Sequence, residues 1–254
     1  MSLPVFHTAA AVEAVPGHVL TVGEDVAGHA VRVRRIGPGE QIEVVDGQGT
    51  RARGQVTAAS ATGMDIEVTA VTREDEPRPR LVLVQALAKG DRDLQAIEAA
   101  TEIGVDEVIP WAAERSIADW PAKKREKMAA KWENLLHAAS LQARRSRFPR
   151  LHELVRGTAL TRSLGRSDAV FVLHETAQTR LSEALAELGS GSTPTRPPER
   201  IVLIVGPEGG ISDGELDALI GADAQPVLLG PTILRSSSAG SAGLVMAQNS
   251  LGRW

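Results

Sequence analysis

The chain has 254 residues, 43% of them hydrophobic and 24% charged, with a formal net charge of -4 at neutral pH. That length can bury a sizeable core in one large domain or two smaller ones, and the composition is ordinary for a soluble globular protein. The chain has no cysteine, which excludes disulfides, thiolate metal sites and cysteine nucleophiles, and the acidic balance gives no global sign of nucleic-acid binding, so such evidence must be local. The start, MSLPVFHTAA, lacks the basic and long apolar regions of a signal peptide, and no apolar run approaches membrane-spanning length; both points predict a cytoplasmic protein.

Residues 1 to 72 read as mostly β. QIEVVDGQGTRARGQV is two alternating runs around Asp46-Gly47-Gln48-Gly49, a hairpin pattern. MDIEVTAV is a further strand, and a short helix is expected near Gly23 to Arg35. The charged, proline-containing stretch 73–80 reads as a linker. From 81 onward strands alternate with helices. LVLVQAL is a buried strand; Asp91 or Asp93 is placed to cap a helix that ends at Gly104; VDEVIPW is the next strand. Pro121 suits the start of a long helix whose Met128, Trp132, Leu135, Leu136 and Ala139 follow the helical period. AVFVL (Ala169 to Leu173) precedes HETA and a helix to about Leu188, and Gly189 to Glu199 reads as a flexible connector. This alternation predicts an α/β domain with a mainly parallel sheet.

The last quarter repeats one pattern, an apolar strand, a glycine turn and a helix start: IVLIV before GPEGGISDGEL, and Val227 to Leu229 before GPTILRSSSAGSAG. Strand ends of this kind leave main-chain groups at the sheet's carboxyl edge, where open α/β sheets bind ligands. Two such loops point to one small-molecule pocket built mostly from main chain. In the first, Ser212 and Glu215 form a capping box. The loop matches neither the P-loop nor the G-x-G-x-x-G pattern, so phosphate-loop and nicotinamide functions are disfavoured. In the second, Ile233 and Leu234 put apolar side chains where turns are normally polar, so a ligand or other chain must cover them. Arg235 follows, and one of Ser236, Ser237 or Ser238 is expected to cap the final helix. That helix carries small residues at Ala239, Gly240, Ala242 and Gly243, which permit close packing against a chain crossing or a partner subunit.

A third strand end reads Leu173-His174-Glu175-Thr176; Gln178 stands where the H-E-x-x-H zinc pattern needs its second histidine, so no metal is expected. Between Pro121 and Arg150 nine basic residues, Arg144, Arg145 and Arg147 among them, face only Glu126 and Glu133. Arg32, Arg34, Arg35, Arg51 and Arg53 give the β-rich part a cationic surface of its own. Such patches attract phosphates. Aromatic residues are only 3% and tyrosine is absent, so base stacking is not the expected mode.

GPEGGIS, LGPTILR, KGDRDLQAIEAATEIGVDEVIP and the stretch from Gln142 to Pro149, in this order, resemble the ribosomal RNA small-subunit methyltransferase E family of the SPOUT superfamily. The resemblance implies a PUA-like RNA-binding barrel over 1–72, a linker over 73–80 and a trefoil-knotted α/β methyltransferase domain over 81–254. It implies S-adenosylmethionine as cofactor, a homodimer, and methylation of uridine N3 in 16S rRNA of the small subunit. Carried over residue by residue, the cofactor site would comprise Leu173, His174 and Glu175; Gly206, Pro207, Glu208, Gly209 and Gly210; Leu229, Gly230, Ile233 and Leu234; and Ser238. Arg32, Arg34, Arg35, Arg144, Arg145 and Arg147 would grip RNA. Arg235 would stabilise charge on the uracil, with Glu208 as base or orienting acceptor. The chain departs from the family's I-L-R-T-E-T-A pattern: Thr232 stands where arginine is frequent, and Ser236-Ser237-Ser238 replace T-E-T. That departure keeps open an alternative, a non-catalytic RNA-binding protein that retains the fold.

Overall fold

The alternating runs of the first part pair into a five-stranded sheet. The computed structural model describes residues 3–189 and 197–254. Strands β1 (Val5–His7), β2 (Val19–Gly23), β3 (Gln41–Val45), β4 (Thr50–Ala59) and β5 (Gly63–Arg73) take the order β1-β3-β4-β5-β2, with helix α1 (Glu24–Arg32) between β2 and β3 in sequence. Only the β1–β3 pair is parallel. Every second residue of β3, β4 and β5 is buried, and Ile42, Val44, Val56, Met64, Ile66 and Val68 form this unit's core. The hairpin turn forms where expected, because Asp46 Oδ1 accepts from the N–H groups of Gln48 at 2.7 Å and Thr50 at 2.9 Å. Residues 140–148 cluster with this unit although they interrupt the α/β part of the chain in sequence.

The second unit holds β6 (Arg80–Ala86), α2 (Arg92–Ile103), β7 (Glu107–Ala112), α3 (Arg125–Gln142), β8 (Arg150–Leu151), β9 (Val155–Arg156), β10 (Asp168–Leu173), α4 (Leu181–Gly189), β11 (Arg200–Val205), α5 (Asp213–Ile220), β12 (Gln225–Val227) and α6 (Ser236–Ser250). Its seven strands are parallel, in the order β12-β10-β11-β6-β7-β8, with β9 also on β7. The LVLV run of β6 is apolar at every position because both faces of the sheet are covered. Leu81 and Leu83 pack with Ile97, Trp132, Leu136, Leu181 and Leu244 of the helices on one side. Val82 and Val84 pack with Leu160, Ile211 and Leu219 on the other.

The amino ends of four strands carry one ionic network. Arg80, Glu107, Asp168 and Arg200 each open a strand. Glu107 takes Arg80 at 3.0 Å, Arg200 at 3.3 Å and His152 at 2.7 Å, while Arg200 also donates to Asp168. This edge is structural, and the opposite edge is open to ligands.

Three local expectations need correcting. The last strand is Gln225–Val227, not Val227 to Leu229: Leu228 leaves the ladder to pair with the 179–181 segment, donating to Thr179 and accepting from Leu181. Its edge position in the sheet tolerates Pro226, which has no N–H to give. The serines do not cap α6. Arg235 is the N-cap, no side chain bonds there, and the serines form the first turn. Asp91 holds the N-cap position of α2, but its side chain makes no cap bond. Asp91, at φ 58°, pairs with Lys131 at 3.2 Å, and Asp93 bonds the adjacent Leu94 N–H. Most of the connector expected over Gly189 to Glu199, residues 190–196, lies outside the described residues.

Candidate active site

A cleft of about 890 Å³ opens at the carboxyl edge of the parallel sheet. It is built from the loops after β10, β11 and β12 and the first turn of α6, with Arg92 from the start of α2 and Arg115 from the loop after β7. The first of these loops contributes Leu173, His174 and Glu175; the second, Gly206, Pro207, Glu208, Gly209 and Gly210; the third, Leu229, Gly230, Ile233, Leu234 and Arg235. All of these residues expected in one site line one cleft.

Each loop is held locally. Thr176 N–H approaches His174 Nδ1 at 3.4 Å, and the Thr176 hydroxyl lies 3.0 Å from the same nitrogen. After β11, Gly210 N–H bonds Pro207 O at 2.9 Å, and the capping box of α5 is complete: Ser212 Oγ and N–H both reach Glu215 Oε2. Gly209 lies so near the loop after β7 that a Cβ on it would stand 3.0 Å from Arg115 O. In the third loop Ile233 is 80% exposed and Leu234 39% exposed, an apolar pair in the open beside the cleft.

Ser238 is the exception. It is exposed and does not line the cleft, whereas Ser236 does. The helix starts at Ser236, and two residues turn about 200° around an α-helix, so the two serines face opposite ways. Ser236 is buried, its hydroxyl meets no partner among the described residues, and no side chain caps α6. An unpartnered buried hydroxyl at an uncapped helix start suits an anionic or polar ligand atom.

Glu208 is engaged. Arg92 Nη1 donates to its Oε1 at 2.8 Å. Burial pushes this carboxyl up, but its own backbone N–H and then Arg92 outweigh that and hold it below the usual range. A carboxylate stabilised in its charged form is a weak proton acceptor, which favours the orienting role expected for Glu208 over that of base. Arg235 is exposed and forms no ion pair among the described residues. Arg92 and Arg115 were missed in the sequence. The strand-end rule that pointed to the last three loops applies equally beyond β6 and β7, where the start of α2 and the loop after β7 carry them.

The arginines expected to meet RNA divide. Arg34 and Arg35 are exposed, and Arg32 lies 3.8 Å from Glu24 with both side chains in solvent. Arg144 is exposed and its carbonyl accepts from Arg51; Arg145 is half-buried. Arg147 is spent within its unit: its guanidinium donates to Glu74 O at 2.6 Å, its Nε is buried, and its backbone bridges Gly47 and Gln48. Among the described residues no three His, Asp or Glu side chains gather as a metal site, and no helix is long and apolar enough to cross a membrane.

The profile described as RNA methyltransferase domain matches residues 74–248, and the one described as RNA methyltransferase PUA domain matches residues 22–69. The Ribosomal RNA small subunit methyltransferase E of Mycobacterium bovis is 37% identical over 94% of this chain and 89% of its own length.

The chain belongs to the ribosomal RNA small subunit methyltransferase E family.

The Bacillus subtilis family member is 28% identical over 90% of this chain and 88% of its own length. Solved structures share the fold. The family member from Neisseria gonorrhoeae, bound to S-adenosyl methionine, aligns with TM-score 0.81 at 23% identity, covering 98% of each chain. A putative methyltransferase from Legionella pneumophila, in complex with SAM, aligns with TM-score 0.80 at 24% identity, also over 98% of each chain. The match to the methyltransferase domain spans every residue that lines the cleft.

Proposed function

We propose that the chain transfers a methyl group from S-adenosylmethionine to N3 of a uridine in 16S rRNA of the small ribosomal subunit. The observation that carries this reading is the single cleft formed by the three strand-end loops, with Arg235 unpaired at its lip and Ser236 unsatisfied in its wall. The three loops would hold the cofactor, with Ile233 and Leu234 flanking its adenine. When bound, it supplies an electrophilic methyl group on a sulfonium sulfur.

The chain's own residues place the uracil and offset its charge. Uracil N3 becomes a nucleophile on losing its proton to solvent, and the charge spreads onto the ring's carbonyl oxygens. The Arg235 guanidinium and the His174 ring both line the cleft and would donate toward that charge. Glu208, tied to Arg92, sets the shape of the glycine loop, and the loop's backbone holds the reactants in line.

In this reading 1–72 serves as an RNA-binding domain and 81–254 as the methyltransferase domain, joined through 73–80. Arg32, Arg34, Arg35, Arg144 and Arg145 attract RNA phosphates. The protein works in the cytoplasm, without a metal, as a homodimer. The exposed Ile233 supports pairing, and α6, whose Gly240 and Gly243 lie directly on the sheet, would be the segment threaded in a knot. The replacement of T-E-T by Ser236-Ser237-Ser238 favours a second reading, an RNA-binding protein without turnover. In vitro methylation of small subunits lacking the modification separates the two: nucleoside mass spectrometry should find N3-methyluridine. A methylated cytidine or guanosine would refute the substrate, and no methylation despite cofactor binding would favour the second reading.

A further inference from the structure

We infer that Arg115 is a substrate-positioning residue that holds a phosphate of the RNA strand beside the target nucleotide, an inference that rests on the function proposed above. It stands in the turn Ala113-Glu114-Arg115-Ser116 that follows β7, closed by Ser116 N–H donating to Ala113 O at 3.0 Å. The turn is riveted to the start of α5. Glu114 N–H donates to Glu215 Oε1 at 2.8 Å, while Oε2 of the same carboxylate takes the N–H and hydroxyl of Ser212. Glu215 is only 2% exposed, so each of its oxygens serves one loop. On the other side Gly209 leaves just enough room for the Arg115 backbone. The backbone of Arg115 is therefore fixed from two directions.

Its side chain is not. The guanidinium is exposed, lines the cleft, and makes one long contact, 3.4 Å from Nη1 to Ile211 O. Among the described residues no carboxylate pairs with it. Arg92, which also lines the cleft, is neutralised by Glu208 at 2.8 Å. A guanidinium carried on a rigid turn and left without a counter-charge suits an oxyanion, carboxylate or phosphate, two of whose oxygens it grips in bidentate fashion. Exposure decides which anion. The cofactor's carboxylate would lie within the cleft, near buried groups such as Ser236, whereas an exposed guanidinium meets the polyanion that arrives from solvent.

Four measurements on the full-length protein test this: calorimetry with S-adenosylmethionine, methylation kinetics on unmodified small subunits, binding of a single-stranded RNA oligonucleotide across a salt series, and thermal melting. Arg115→Ala should raise KM for the subunits roughly tenfold. It should lower the magnitude of the salt slope by about 0.7, one phosphate on a single strand. Cofactor affinity and melting temperature should hold. Arg115→Lys should recover part of the KM, because a point charge remains without the fork. Loss of cofactor affinity with RNA binding unchanged would place Arg115 on the cofactor and overturn the inference. A lowered melting temperature with KM and slope unchanged would make it a strut for Ile211 and overturn it too. If the unaltered protein binds no S-adenosylmethionine, the proposed function fails, while the oligonucleotide series still decides for or against Arg115.

Discussion

Arg92 and Glu208 join the first turn of α2 to the glycine loop after β11, with Nη1 and Oε1 2.8 Å apart. Arg92 is 39% exposed and Glu208 25%, so the pair contributes about 0.5–1 kcal/mol to stability after solvent screening. Its larger effect is on loop shape. Glu208→Gln keeps an acceptor of the same size without the charge. Cofactor affinity should weaken several-fold, turnover at saturation should stay within about threefold, and the pH–rate profile should keep its form. Collapse of turnover with loss of the acidic limb would make Glu208 the base.

Arg235 belongs to the transition state in the proposed reaction and not to ground-state binding. Arg235→Ala should leave S-adenosylmethionine affinity near its original value in calorimetry and cut turnover by about 100- to 1000-fold, the usual loss for a donor to developing charge. Weakened cofactor binding with normal turnover at saturation contradicts that role.

How much of this was legible from sequence depended on distance along the chain. Local chemistry was readable: the Ser212–Glu215 capping box, the hairpin at Asp46 and the helix stop at Gly104 each involve residues within a few positions of one another. The loops that line the cleft were readable because glycines mark strand ends. What escaped was pairing over long separations. Nothing near Arg92 in sequence announces Glu208, and nothing near Glu114 announces Glu215. Arg147 looked like a free cation because its partner Glu74 lies far back in the chain. The Ser238 assignment missed because helix phase depends on where α6 begins, and the serine run blurred that start.

Glu107 should dominate the acid side of stability. Its carboxyl is buried, which alone would raise its pKa. The hydrogen bond from His152 and the charges of Arg80, His152 and Arg200 outweigh that and hold it below the usual glutamate value. A depressed folded-state pKa makes the contribution complete above the unfolded-state value and loses it as pH falls through the folded one. Urea midpoints should therefore drop as pH falls below the usual glutamate range. Glu107→Gln should cost about 1–3 kcal/mol at neutral pH, since it removes the carboxylate that pairs Arg80 and His152 while Arg200 keeps Asp168, and should flatten the acid dependence. An unchanged acid slope in this variant would move the effect to other carboxylates.

The cationic residues of the N-terminal unit should separate into two behaviours. Arg34 and Arg35 are exposed, so neutralising both should weaken RNA binding and reduce its salt slope by about 0.7 for each phosphate no longer bound, with no change in melting temperature. Arg147 is bonded to Glu74 O, so Arg147→Ala should lower the melting temperature. Filter binding across a salt series, set beside thermal melts, reads both. A salt-slope change for Arg147→Ala without destabilisation would return that residue to the RNA surface.

Gly240 fixes how closely α6 lies on the sheet. A Cβ there would stand 2.8 Å from Leu83 Cδ1, 3.2 Å from Leu83 Cδ2 and 3.5 Å from Val205 Cγ2. Gly240→Ala sets two effects against each other. Helix propensity gains about 1 kcal/mol over glycine, and the buried Leu83 must shift in a packed core. The two nearly cancel, so the urea midpoint should change little. Gly240→Val adds two methyl groups to the same space and loses most of the propensity gain, so overpacking by about 1–3 kcal/mol prevails. Val205 lines the cleft, so the valine variant should also lose cofactor affinity measured well below its melting temperature. A valine variant as stable as the alanine one would mean that α6 lifts from the sheet at no cost, and that the small residues of this helix are not there for close packing.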